Sequence, residues 1–162
     1  GKIVDAIHSR GIMINASMVF GLDGDTPDVF RKTLDWLVEH KIETLTSHIL
    51  TPYPGTALYK RMQSGGRIKD YDLKKYNTAH VVFEPAGMTE EELLKGYLWM
   101  YRQFYSFQNI FRRMPHCHRQ MAPYLLFNFF YRKFGQWTSF ISKLVPMRLL
   151  GRIAAMASYH IK

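Results

Sequence analysis

Cysteine is nearly missing from this chain: of 162 residues, only Cys117 is one. A single thiol makes no internal disulfide and no multi-cysteine metal site, and such sparing use fits a reducing, cytoplasmic compartment. Acid is missing from the whole second part. Residues 1 to 92 hold 11 Lys/Arg and all 13 Asp/Glu, whereas residues 93 to 162 hold 11 Lys/Arg and no acid. The formal net charge of +9 is therefore C-terminal in origin. A field of one sign points to an anionic partner: nucleic acid, a membrane surface, or an acidic face elsewhere in a larger protein. Long apolar runs are lacking as well. In the aromatic C-terminal part the longest uncharged run, Gln120 to Tyr131, is too short to span a bilayer, and the opening residues do not read as a signal peptide. The sequence has no internal repeat and no low-complexity tract.

What is present is ordinary for a globular chain, 47% hydrophobic and 22% charged, with a high aromatic share of 15%. GKIVDAIHSRG sets Ile3, Val4 and Ile7 on one side of a helix closed by Gly11. A chain that opens inside a helix feeding a strand is expected to be part of something longer. Ile12 to Phe20, interrupted only by Asn15 and Ser17, predicts a strand covered on both faces. In GLDGDTPD, Asp25 or Thr26 is suited to cap a helix, Pro27 to open it and Asp28 to sit at its positive end. Phe30, Leu34, Leu37 and Val38 then recur at helical spacing until about His40. A second strand, Thr44 to Leu50, follows. Two apolar strands joined through a helix make a βαβ unit with parallel strands, and the turns at their C-terminal ends share the side where ligands bind in such sheets and barrels.

TPYPGT fixes an extended loop, because two prolines and a glycine interrupt any repeating element. A short helix, Thr56 to Ser64, is expected to end at Gly65-Gly66. RIKDYDLKKYNTAH reads as a loop with a turn of helix, and VVFEP as a loosely held strand. Thr89 and Glu92 form a capping box, with Met88 stapling onto Leu93, and one long helix is expected from there to about Arg113. Beyond Met121, eight aromatics fall within the seventeen residues Tyr124 to Phe140. Met147 to Lys162 reads as an amphipathic helix.

MVFGLDGDTPDVFRKTLDWL followed by LTPYPGTALYKRM resembles the latter half of the radical S-adenosylmethionine (SAM) core. The likeness covers roughly residues 3 to 70. The remainder, with NTAHVVFEPAGMTEEELLKGY and the aromatic, basic tail, resembles the C-terminal extension of the radical SAM class that carries an N-terminal cobalamin-binding domain and includes methyltransferases. The fold class implied is α/β (or α+β): the C-terminal βαβ part of a partial TIM-type barrel over residues 1–70, then a mainly helical basic, aromatic extension over 71–162. The family's fifth-strand motif maps onto Ser17, Val19, Gly21 and Asp25, with Ser17 in place of a glycine and Asp25 in place of a glutamate. After the sixth strand, Leu50, Thr51, Pro52 and Tyr53 would lie beside the adenine of SAM. Gly21 would let the backbone approach a flat ring, and Val19 would press on it. These are packing and backbone roles, and none of these residues transfers a proton.

The family's [4Fe-4S] cluster is held by three cysteines in C-x3-C-x2-C, which this chain does not contain. The resemblance therefore implies that the cluster, and any cobalamin, belong to the missing N-terminal part of the same protein, a parent enzyme such as a methyltransferase. The chain alone would carry one wall of the SAM site and be silent in catalysis.

Plainer readings stand beside these. GLDGDT is also a simple strand-to-helix turn. Its D-G-D does not make a calcium loop, because the twelfth position from Asp23 is Leu34 rather than Glu. His116-Cys117-His118 lacks the spacing of a metal site and reads as a surface loop. His48 either faces ligand or is a hydrogen-bonded core histidine. The aromatic tail packs as core, lies on an anionic membrane surface at the inner face, or stacks on nucleic acid; the last is disfavoured because stacking folds place their aromatics on a sheet. A non-catalytic membrane-peripheral or partner-docking module is the alternative function.

Overall fold

The computed structural model describes residues 1–115 and 117–134. The expected helix at 147–162 lies outside the described residues. Among these, six α-helices, two strands and a 3-10 turn follow the order α1 (Lys2–His8), β1 (Asn15–Phe20), α2 (Val29–Glu39), β2 (Thr44–Ile49), α3 (Ala57–Ser64), the turn Leu73–Lys75, α4 (Glu90–Phe104), α5 (Phe107–Arg112) and α6 (His118–Phe134).

β1 and β2 pair in parallel, with Asn15 opposite Thr44 and Phe20 opposite Ile49. The crossover between them is α2, whose Phe30, Leu34, Leu37 and Val38 are buried as the helical spacing requires. The Phe20 ring lies 4.8 Å from that of Phe30. α4 packs over α2 and β2 at the same core, which also takes in Met62, Ile68, Phe83 and Met88. Gly96 marks the closest approach of α4: a Cβ there would stand 2.1 Å from the Phe30 ring. The capping box of Thr89 and Glu92 is fully formed, and Met88 and Leu93 are both buried beneath it.

β1 departs from the expectation of two covered faces. Asn15, Ser17 and Val19 are exposed and alternate with the more buried Ala16, Met18 and Phe20, so among the described residues only one face is covered. Strand geometry sends alternate side chains to opposite faces; α2 and α4 cover one of them, while α6 reaches only the start of the other, where Tyr124, Phe127 and Tyr131 line a cavity with Asn15, Thr44 and Thr46. The single helix expected over 89–113 is also corrected. It breaks at Tyr105-Ser106, because the Ser106 hydroxyl caps α5 by accepting from Asn109 N–H, while the Asn109 amide donates to Gln103 O at 2.9 Å. Capping both ends locally makes two short helices cheaper than one continuous one.

α6 is held by a buried polar cluster. Arg113, fully buried, donates from Nη1 to Ile42 O at 2.6 Å and Glu43 O at 3.0 Å, and from Nη2 to Phe104 O at 2.7 Å and Asn128 Oδ1 at 3.2 Å. Tyr124 O–H donates to Ile110 O at 2.6 Å. The Tyr131 ring stacks on Tyr105 at 5.3 Å. Part of the aromatic tail therefore packs as core, whereas Leu126 and Phe127 remain 70% and 51% exposed.

Candidate functional site

Two turns stand at the C-terminal ends of the parallel strands. After β1, the Asp25 carboxylate accepts from Gly21 N–H at 2.9 Å and Leu22 N–H at 3.0 Å and so closes the turn on itself. This corrects its expected role as a helix cap: the carboxylate turns back to the strand end, the N-cap of α2 is Asp28, and Pro27 lies before the helix rather than at its first position. The two strand-end amides take Oδ2 of this carboxylate, and Asp25 caps the strand end instead of the helix. Gly21 has φ +94°, and a Cβ there would meet Leu93 Cδ2 at 2.9 Å and Phe83 Cζ at 3.1 Å. The missing side chain thus admits the α4 core beneath the turn.

After β2, pairing continues one step as Leu50 N–H donates to Phe20 O at 2.8 Å. Thr51 and Pro52 are buried, and the Thr51 hydroxyl donates to Ile49 O at 3.1 Å. Tyr53 is 47% exposed. Thr56 then caps α3 by accepting from Tyr59 N–H at 3.2 Å. Arg67 ties the first turn to the segment after α3: its Nη2 lies 2.8 Å from Asp23 Oδ1 and holds that carboxyl below its ordinary range, while its Nε donates to Glu84 O. Of the residues expected at the site, Ser17, Val19 and Tyr53 are exposed, Asp25 and Leu50 half-buried, and Gly21, Thr51 and Pro52 buried.

The two edges of the sheet differ. On the outer edge of β2, Leu45 N–H and C=O both bond Tyr105 Oη, at 3.2 and 2.9 Å, and Ser47 N–H and C=O both bond Tyr101 Oη, at 2.8 and 3.3 Å. Ile49 N–H donates to Thr78 O at 2.7 Å. Backbone groups that a further strand needs are taken by side chains and a loop, so the sheet ends at β2. β1 has no second partner strand among the described residues. Burial pushes the Tyr105 hydroxyl well above its ordinary value and that of Tyr97, its neighbour on α4, up to about 12.

The open face carries Asn15, Ser17 and Val19 from β1 and Thr44, Thr46 and His48 from β2. His48 Nδ1 pairs with Thr78 Oγ1 at 3.0 Å. Both readings of His48 thus have support: it is hydrogen-bonded, and it stands on the open face. Sequence reasoning missed Arg113 and the tyrosine seal. Tyr97, Tyr101 and Tyr105 recur every four residues along one helical stripe, which was the available signal. Among the described residues no group of three His, Cys, Asp or Glu is arranged to hold a metal, and Cys117 and His118 are exposed.

A family model described as a domain of unknown function, DUF4070, matches residues 56–155. Over 112 residues the chain is 33% identical to the bacteriochlorophyllide d C-12(1)-methyltransferase of Chlorobaculum tepidum, covering 69% of this chain and 24% of that protein. It is 27% identical over 110 residues to the anaerobic magnesium-protoporphyrin IX monomethyl ester cyclase of Cereibacter sphaeroides, covering 68% and 18%. It is 32% identical over 74 residues to the hopanoid C-2 methylase of Rhodopseudomonas palustris, covering 46% and 14%. The chain spans about a quarter or less of the length of these relatives.

Proposed function

Because the chain belongs to the family described as DUF4070, and its relatives named above are methylating and cyclising enzymes, we propose that it is the C-terminal portion of a radical SAM enzyme. It supplies the last two strands of the parent's sheet and, on their open face, a wall for the adenosyl part of SAM. The observation that carries this reading is the asymmetry of the sheet. One edge is closed by Tyr101, Tyr105 and Thr78, the other has no partner strand among the described residues, and the open face carries Ser17 and Val19. A two-stranded sheet is marginal by itself, and strands added at β1 would build the remainder of a partial barrel around that face.

The fit to the cofactors is divided. An uncharged face with one apolar residue among hydroxyl and amide groups suits a nucleoside, which needs apolar contact and a few placed hydrogen bonds. When bound, SAM supplies the methyl group or the radical chemistry. Val19 would bear on the adenine, the turns after β1 and β2 would fix its edge, and Tyr53 would exclude water. The iron–sulfur cluster does not fit the donors present, so its three cysteines, and a cobalamin site, are assigned to the upstream part of the parent. The names of the relatives, two methylating enzymes and one cyclase, support carbon methylation or a related carbon-centred reaction for the parent.

The test is expression together with the upstream coding sequence, anaerobic reconstitution with iron and sulfide, and assay of SAM turnover. Turnover that depends on an upstream C-x3-C-x2-C supports the reading. An upstream sequence without that triplet, or a reconstituted protein inert toward SAM, would sink it. The acid-free stretch from residue 93 through α6, with Leu98, Phe107, Phe111 and Phe127 exposed and Arg102 and Arg112 exposed among them, also supports attachment of the parent to an anionic membrane surface. Among the described residues no helix is long and apolar enough to cross a membrane.

A further inference from the structure

The six side chains of the open face are not equally available. The Asn15 amide donates to Thr46 Oγ1 at 3.2 Å, and its carbonyl oxygen accepts from Thr44 Oγ1 at 3.0 Å and Thr46 Oγ1 at 3.3 Å, so these three satisfy one another. Val19 has no polar atom. That leaves the Ser17 hydroxyl and His48 Nε2, neither of which has a hydrogen-bond partner among the described residues. In the strand register Val19 is opposite His48, and Ser17 is two residues before Val19. An exposed apolar side chain is therefore flanked by two unengaged polar groups at the C-terminal half of the strands, and no charged residue shares the face.

His48 is also held in place. Its Nδ1 meets the Thr78 hydroxyl at 3.0 Å, and Thr78 sits at φ +64°, a left-handed conformation that a β-branched residue rarely adopts. The same residue is tied to the sheet edge, where Thr78 O accepts the amide of Ile49 at 2.7 Å. Strain of this kind, fixing a side chain beside a binding face, is characteristic of sites that position a group in advance.

We infer that His48 is the hydrogen-bonding residue of the adenosyl wall, with Nε2 presented to the ribose diol of an adenine nucleoside seated on Val19, and the Ser17 hydroxyl as its second polar contact. The inference rests on the adenosyl-wall reading above. A neutral diol matches an uncharged face. A hydroxyl both donates and accepts, so it pairs with Nε2 in either imidazole tautomer.

The test is an NMR titration of the parent protein, expressed with its upstream coding sequence and with its histidine rings labelled, using adenosine and 2′,3′-dideoxyadenosine as probes. Adenosine should shift the Nε2 resonance of His48 and leave Nδ1 nearly unmoved. H48F should weaken adenosine binding about fivefold, the worth of one hydrogen bond, while dideoxyadenosine binds wild type and H48F alike. Adenosine binding that moves Val19 but not Nε2, with equal affinity in H48F, would overturn the role of His48 and leave the wall standing. No adenosine binding at all would overturn the wall, and this inference with it. The wild-type Nε2 shift decides the matter even where H48F does not fold.

Discussion

Arg113 offers the sharpest perturbation of the fold. R113M keeps most of the stem volume and removes a guanidinium that donates to three carbonyls and one amide oxygen. Glu43 O retains a second donor, Asn128 Nδ2 at 3.1 Å. Ile42 O and Phe104 O have no other donor among the described residues. Each buried carbonyl left without a partner costs about 1–3 kcal/mol; Ile42 O, Phe104 O and Asn128 Oδ1 would be left so, a gross scale of about 6 kcal/mol that comes to about 4 kcal/mol net. Removing a buried cation offsets some of this, since burial has already pushed the Arg113 guanidinium down to about 10. For a chain of this size about 4 kcal/mol corresponds to a fall in Tm of about 8–16 °C. Urea and thermal unfolding by circular dichroism measure it, with R112M, at an exposed neighbouring position, as a control expected within about 0.5 kcal/mol of wild type. R113K should recover only part of the loss, because an ammonium does not reproduce the planar fork. A cost below about 1 kcal/mol for R113M would refute the view that this fork fastens α5 and α6 to the start of β2.

G21A should cost about 2–4 kcal/mol, part from an alanine at φ +94° and part from a Cβ pressed on Leu93, and the L93A background should return only the steric part. A wild-type melting curve for G21A would show that the turn relaxes freely. V19A, at a position 43% exposed, should leave stability within about 0.5 kcal/mol and weaken adenosine binding, so it tests the wall without the confounding loss of fold that attends Gly21. The tyrosines give a pH dependence. Burial raises Tyr97 and Tyr124 to about 12 from an ordinary 10.0, so the stability that they contribute while neutral is complete below pH 10 and is lost as pH rises through about 12. Tyrosinate absorbance followed alongside circular dichroism should show the two changing together, and ionisation of all tyrosines near pH 10 in a folded chain would contradict it. For the acid-free surface, a chain ending before residue 121 should lose binding to vesicles rich in anionic lipid, a loss absent with neutral vesicles; equal binding with and without the tail would reject that reading.

Much of the local structure was legible in the sequence. The stripe of α2, the capping box of α4, the short helix α3 ending at Gly65-Gly66 and the parallel βαβ unit each depend on residues within a few positions of one another. The family resemblance rested likewise on two short turns in order. The break at Ser106 was not legible, because a serine inside an apolar helical pattern carries no mark until Asn109 and Arg113 are seen to take the carbonyls of the preceding turn. Asp25 was misread for the same reason: a carboxylate after a strand serves a helix or a strand end, and only the closed turn decides between them.

The sequence by itself determined the elements, their order and the asymmetry of charge, since propensity, capping and periodicity act over a few residues. Tertiary structure alone decided which strand ends the sheet, which face is open and which polar groups remain unengaged. Those depend on contacts across long separations: Tyr105 reaches Leu45 over 60 residues, Asn128 reaches Glu43 over 85, and Thr78 fixes His48 over 30. Such pairings leave no periodic trace in the chain, because each is set by where a helix lands and not by the spacing of its neighbours.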